Sequence, residues 1–454
     1  MKYVKLAKLW DSLHSSFWFV PTLMVLLAIA LSFITIWIDH KQETNIVENI
    51  DWAYSLGPSG SRAILSAIAG SMVTVATTAF SITIVALQLA SSQFGPRLLR
   101  NFMQDTGNQI VLGTFISTFV YSLMVLRTIN GVEKYEFVPH LAVTIGLGLA
   151  IASVGVLIYF IHHSASSIQV DQIIKQVGND LDVAIDRLFP ERIGQSASKQ
   201  VQEESLPAIP ADFDRVACPI KTIANGYIQG IDDNQLMRIA TENNLLLRVQ
   251  QRPGRFVVKG SEIVRVFPEE KVNKKLAVQI NEAFILGSQR TEQQDVEFPI
   301  DELVEIAVRA LSPGINDPFT AIRCIDQLSA ALCHLAQREI PSPYRYDDQK
   351  QLRIIAEPIS FADATDAAFN QIRQYGKSSV AVTMRLLEAI AAIAPFTHRV
   401  PDRNTLQRHA DMIERGGQEG IAEELDYENV KERYLAAVKA SGQASSICDH
   451  LLWG

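Results

Sequence analysis

Large parts of this chain carry no charge. Residues 17–38, 63–96, 109–126 and 141–161 contain no Asp, Glu, Lys or Arg. Each run has at least 18 residues, about what a helix needs to cross ~30 Å of hydrocarbon, so four transmembrane helices are predicted in the first third. A titrating group at membrane depth is the usual means of proton coupling, and none is there, which argues against a proton-coupled carrier. A passive pore, or a carrier that uses only hydroxyls and backbone, remains compatible. Cysteine is scarce. Cys218, Cys324, Cys333 and Cys448 all follow the apolar runs and none forms a CxxC pair, as expected of reduced thiols filling a core. No HExxH, Walker lysine motif, GxSxG or paired Cys/His cluster occurs, and "GPSGSR" at 57–62 lacks the lysine and preceding strand of a phosphate loop. The sequence therefore offers no catalytic residue, no metal ligand set and no cofactor site, and the expectation is a protein that is not an enzyme.

The charges that are present lie unevenly. Through residue 165 there are nine Lys and Arg against eight Asp and Glu, which leaves 32 against 41 in the remainder and gives that part −9 of the total −8. So acidic a soluble part argues against nucleic acid as a partner and leaves the lipid bilayer as the expected surroundings of the first third. Lys2, Lys5 and Lys8 precede the first run, while Arg97 and Arg100 separate the second from the third. Lys41, Arg62, Arg127 and Lys134 fall on the other side. The first set lies close to the helix ends, where orientation is decided, so the expectation is a multi-pass membrane protein with both termini cytoplasmic. The first run could pass for a signal peptide, but its core is ~20 residues with no small-residue cleavage site after it, and it reads as a retained anchor. Trp18 and Trp37 suit the two interfaces.

The second run is rich in hydroxyls. Ser71, Thr74, Thr78, Ser81, Gln88 and Ser92 follow at steps of three, four, three, seven and four, so they share one helix face, interrupted by Val85. Such a face can line a pore between copies of the chain, with Arg97 and Arg100 at its inner mouth. It can also pack, because Ser and Thr hydroxyls bond back to the preceding turn and small residues let helices approach. Gln88 and Gln93 cannot hide their amides so easily, which favours the wet face.

Beyond the membrane, a fold of α+β type is expected. Residues 1–16 form a cytoplasmic N-terminus and 17–165 the four-helix transmembrane domain. At 166–190 the stripe Val170, Ile174, Val177, Leu181, Ala184 and Leu188 marks a connector helix, which either continues the fourth span or packs on the soluble part. Residues 191–212, polar and rich in Ser and Gln, read as a linker. From 213 to 270, "RVACPIKT", "GYIQGID", "NLLLRVQQ" and "RFVVKGSEIVRVF" are short apolar runs between turns, hence a small β module with one helix at 234–242. Gly254, Val257, Gly260, Ile263 and Val266 recur every third residue and resemble the turn of lipoyl and biotinyl carrier barrels, which implies a barrel or hammerhead-like module. The carrier lysine's flanks are missing around Lys271, which is expected to be unmodified. From 271 to 454 the period is mostly helical, "NKKLAVQINEAFILG" included, with "SSVAVTMRLLEAIAAIA" apolar nearly all round and hence central; "LRIIAEP" reads as an isolated strand.

"ALSPGINDPFTA" at 310–321, "RTEQQD" at 290–295 and "ALQLASSQFGPRLLRNF" at 86–102 together resemble a family of bacterial predicted integral membrane proteins catalogued as a domain of unknown function. The resemblance runs through nearly the whole chain; it implies a bacterial inner membrane and no particular activity. Within the first motif, Ser312, Pro313 and Gly314 end one helix, Asn316 follows, and Asp317 with Pro318 begins the next as cap and first residue. That reads as a structural corner rather than an anion site, since Asp317 would repel an anion. His162 and His163 invite a metal or pH switch, but adjacent helical residues point ~100° apart and cannot readily chelate one ion. Three functional classes follow, in order of expectation: a homo-oligomeric channel or transport pore lined by the second helix with a regulatory soluble domain, a membrane-anchored scaffold or ligand sensor, and a membrane-associated enzyme. A deep pocket of converging titratable groups would favour the last.

Overall fold

The computed structural model describes residues 18–41, 57–94, 105–130, 137–167, 169–190 and 209–442. The chain divides into two compact units, 1–172 and 173–454.

The first unit contains four helices long and apolar enough to cross a membrane. They are α1 (Phe19–Lys41), α2 (Pro58–Phe94), α3 (Thr106–Thr128) and α4 (His140–Ser167). Helix α3 touches the other three, and 50% of its apolar window is buried against 22–28% of theirs. It is therefore the centre of the bundle, and α1, α2 and α4 turn broad apolar faces outward. Ile68, Met72, Ala76 and Ala79 of α2 pack on Val111, Leu112 and Phe115 of α3 and on Phe160 of α4. Hydrocarbon offers polar groups no partner, so those inside the bundle pair with each other. The Tyr121 hydroxyl donates to the Ala142 carbonyl at 3.0 Å and lies 3.2 Å from Thr35 Oγ1, while Thr118 and Ser153 hydroxyls meet at 3.3 Å. Aspartates brace both ends. Asp39 of α1 accepts the amides of Leu141 and Ala142 at the start of α4, and Asp105 caps α3 through Gly107 N. Trp18 and Trp37 are 60% and 59% exposed, as interfacial rings require.

The second unit opens with α5 (Val170–Leu188). Its buried stripe, Ile174, Val177, Leu181 and Ala184, follows the predicted periodicity. The helix packs within the second unit: Gly178 approaches Gln327, the His334 ring lies 3.3 Å from Asp182, and Arg338 pairs with Asp186.

Next come β1 (Cys218–Lys221), β2 (Gly226–Ile231), α6 (Asp233–Glu242), β3 (Leu246–Val249), β4 (Phe256–Val257) and β5 (Glu262–Phe267). Then follow α7 (Lys274–Glu282), β6 (Phe284–Gly287), α8 (Glu297–Ala310), α9 (Pro318–Ala336), β7 (Tyr344–Tyr346) and β8 (Leu352–Ile355). One sheet has the order β1-β5-β3-β8-β7 and the other β4-β2-β6. Ile220, Ile228, Val264, Val266 and Ile354 from the two sheets close on Leu236 of α6 and Ile280 of α7 in one core. Gly254 and Gly260 hold φ of +86° and +92°, a left-handed backbone that favours glycine. Lys271 donates to the carbonyls of Asn243 and Asn244 at 2.9 and 3.1 Å and so caps the end of α6.

Two stretches differ from the periodic reading. "NKKLAVQINEAFILG" is not one helix: it stops at Glu282 and Phe284–Gly287 pairs with β2. The strand in "LRIIAEP" is not isolated, since Leu352–Ile355 lies parallel to β3 and antiparallel to β7. Helices α10 (Phe361–Gly376), α11 (Val380–Ile393), α12 (Val400–Gly420) and α13 (Glu424–Gly442) complete the unit. The expectation for α11 holds, for it touches α9, α10, α12 and α13.

Candidate functional site

Helix α2 has two opposed faces. Leu65, Ile68, Ala69, Met72, Ala76, Ala79, Thr83 and Ala86 are buried in the bundle. At about 100° per residue their mean direction is roughly opposite that of Ser71, Thr74, Thr78, Ser81 and Gln88. Those five are all exposed. The hydroxyls donate back along the helix: Ser71 to Ile68 O at 3.0 Å, Thr74 to Gly70 O at 3.1 Å, and Thr78 and Ser81 to Thr74 O and Thr77 O at 2.9 Å. Thr77 extends the pattern, donating to Val73 O. Val73 and Ile84 flank the stripe on one side and Ile82 and Leu89 on the other, all exposed. The structure thus brings together five of the six residues grouped from the sequence, on the side turned away from α3 and α4. The side chain of Ser92, with Arg97 and Arg100, lies outside the described residues.

The signature corner is built as a cap. Asp317 accepts the amides of Phe319 and Thr320 at 3.1 and 3.2 Å and the Thr320 hydroxyl at 2.6 Å. The Thr320 hydroxyl foremost holds this carboxyl below its ordinary range. Asp317 N reaches back to Ala310 O at 2.8 Å, Asn316 takes the left-handed turn at φ +51°, and Asn316 N and Ile315 N both donate to Ser312 O. Pro313 and Gly314 complete the turn ahead of Pro318, the first residue of α9. His162 and His163 separate as their positions require: His163 Nε2 meets Asp105 at 2.7 Å, and His162 is exposed.

A second feature has no counterpart in the sequence reading. The second unit holds a half-open cavity of about 840 Å³ between α6, β3, the turn after it and the 341–359 segment. Ile231, Met237, Val249, Ile354 and Ile359 supply apolar wall, while Arg187, Arg248, Arg252, Arg255 and Arg345 share the lining with Asp233, Asp295, Glu297 and Glu357. The "RTEQQD" motif forms one side. Arg290 bonds Asp295 at 2.8 Å and pairs with Asp301, and Gln294 holds the backbone of Ile231 through both ends of its amide. Gly254 lets the facing turn approach, since a Cβ there would stand 2.2 Å from Asp295 Oδ2. Arg252 meets Glu297 at 2.8 Å and Asp363 at 3.2 Å. Burial holds the Asp233 carboxyl above its ordinary value, against the opposing charge of Arg345. The lining contains no Ser, Thr, Cys, His, Lys or Tyr, so its reactive groups are carboxylates and guanidiniums set among amide and apolar surface. These walls come from segments more than 100 residues apart; the one local signal was the clustering of arginines around "RPGR" at 252–255.

Comparison with known proteins finds relatives over most of the chain. An uncharacterized protein of Mycobacterium bovis is 32% identical over 425 residues, covering 92% of this chain and 79% of its own. Uncharacterized proteins from two strains of Mycobacterium tuberculosis match equally over the same shares. No solved structure matches the chain. The family described as predicted membrane protein DUF2254 matches residues 14–392, spanning the four helices, both sheets and the capped corner, and the chain belongs to that family.

Proposed function

We propose that the chain is the subunit of a homo-oligomeric pore in a bacterial inner membrane, with α2 facing the path and the soluble unit regulating it. One observation carries the reading: the hydroxyl and amide stripe of α2 points away from the chain's own bundle, opposite its packed face. A glutamine amide turned to hydrocarbon is costly, and an assembly around α2 gives Gln88 water instead. As a helix of 37 residues, α2 is ~55 Å long, well beyond the ~30 Å core, so it tilts or projects past the headgroups. Both termini are cytoplasmic in this reading, on the strength of Lys2, Lys5 and Lys8, and a reporter fused after Leu188 should read as cytoplasmic.

Thiol accessibility tests the pore. In protein cleared of native cysteines and held in membranes, cysteines at Thr74, Thr78 and Ser81 should react with water-soluble reagents, and cysteines at Val75 and Ala79 should not. The reconstituted protein should pass ions, with a selectivity changed by Arg97→Gln. An unreactive polar face together with electrically silent bilayers would sink the pore.

The second reading is a membrane-anchored ligand sensor without transport. The cavity favours it, and so do the hydroxyls' bonds back to their own helix, which let that face pack against protein as well as water.

A further inference from the structure

We propose that the cavity of the soluble unit is a nucleotide site, binding a phosphorylated heterocycle. Its volume, about 840 Å³, falls within the range of small-molecule sites and holds a ligand of that size. Two of its carboxylates are already matched: Asp295 by Arg290, which stands behind the lining, and Glu297 by Arg252 at 2.8 Å. Of the five guanidinium groups in the lining, Arg252 is paired there and Arg248 with Asp214, while Arg187, Arg255 and Arg345 are not matched in the same way. Arg345 donates to the carbonyls of Ser342 and Tyr344 and Arg187 to that of Glu292, and neither has a carboxylate within 4 Å among the described residues. Arg255, half exposed at the rim, reaches Glu297 only at 3.4 Å, where Arg252 already holds that carboxylate. Neither Arg187 nor Arg345 is neutralised at contact distance, although Asp233 lies within electrostatic reach of Arg345, and a planar guanidinium fork is suited to phosphate oxygens.

The rest of the lining selects what the phosphate is attached to. Met237, Ile354 and Ile359 offer apolar surface to a flat ring, and the side chains of Gln250 and Gln251 at the edge supply both donors and acceptors for ring nitrogens and exocyclic groups. A free phosphate would leave that surface unused.

The test uses full-length protein in detergent, with equilibrium dialysis of AMP, ATP, GTP and cyclic di-AMP, and with adenosine and inorganic phosphate as half-ligands. At least one nucleotide should bind with a Kd at or below ~100 µM, and both half-ligands at least tenfold more weakly. The double variant Arg255→Gln/Arg345→Gln, which leaves the Arg252 and Arg290 pairs intact, should weaken that nucleotide at least tenfold. Met237→Trp, which fills the cavity from its apolar side, should do the same without involving charge; should it fail to fold, the arginine variant alone decides. No binding by any of the four nucleotides, phosphate binding as tight as theirs, or affinity unchanged in the arginine variant would overturn the proposal. The assay needs no conduction, so silent bilayers with intact binding would sink the pore alone, and a conducting protein blind to nucleotides would sink the site alone.

Discussion

Asp180 sits on α5 where burial, and then the charge of Glu292, raises its carboxyl to about 6. A carboxyl whose folded pKa lies above its ordinary 3.8 favours the folded state only while protonated. The stability it allows is fully present below about pH 4 and falls as pH rises through about 6. Asp180→Asn removes the titration. The variant should melt with the wild type at pH 4 and above it at pH 8, by roughly 2–4 °C for ~1 kcal/mol once solvent screening is discounted. Scanning calorimetry of the solubilised chain across that range checks it, and a gap independent of pH would place the strain elsewhere. Single residues also explain backbone choices nearby. Gly254 is required twice over, by its φ of +86° and by the approach of Asp295.

Among the elements, helix α9 shows how much a cap contributes. Asp317 takes two amides and a hydroxyl of the first turn, and Asp317→Ala leaves them to water at a cost of ~1 kcal/mol. Hydrogen exchange at the Phe319 and Thr320 amides should quicken about fivefold at neutral pH. Because this carboxyl's pKa is lowered on folding, the difference should shrink as pH falls below about 4. Equal exchange in the two proteins would mean the corner is held by other contacts. This cap was legible in the sequence, since Asp-Pro before an apolar periodic run has one local explanation. The four spans were legible for a similar reason: hydrocarbon admits few structures, so length and absence of charge suffice. What depended on distant partners was not. Phe284–Gly287 continues a helical period but finds its hydrogen bonds on Tyr227–Ile231, and Leu352–Ile355 joins Leu247 and Arg248 across more than 100 residues. The spacing of Ser71, Thr74, Thr78 and Ser81 gave their shared face, but only the packing of Ile68, Met72, Ala76 and Ala79 on the opposite side gave its outward direction. The cavity, made of such distant pieces, left almost no local trace.

For the molecule as a whole, if it forms the pore proposed above, the bonds by which Thr74, Thr78 and Ser81 satisfy their own hydroxyls bear on how its copies would come together. A stripe that depended on a neighbour for its hydrogen bonds would be poorly tolerated by lipid before that neighbour arrived, and assembly would have to keep pace with synthesis. Here most of the polar face carries its partners with it, so a newly made chain can enter the bilayer alone and meet other copies later by lateral diffusion, insertion and association being separate events. Two differently tagged versions of the chain, made from separate transcripts in one culture, should therefore yield mixed-tag complexes. Complexes that remain strictly single-tagged, though oligomeric, would mean that the copies are joined as they are made. If mixing occurs, the fraction of chain assembled is set by its amount in the membrane rather than by the order of its manufacture.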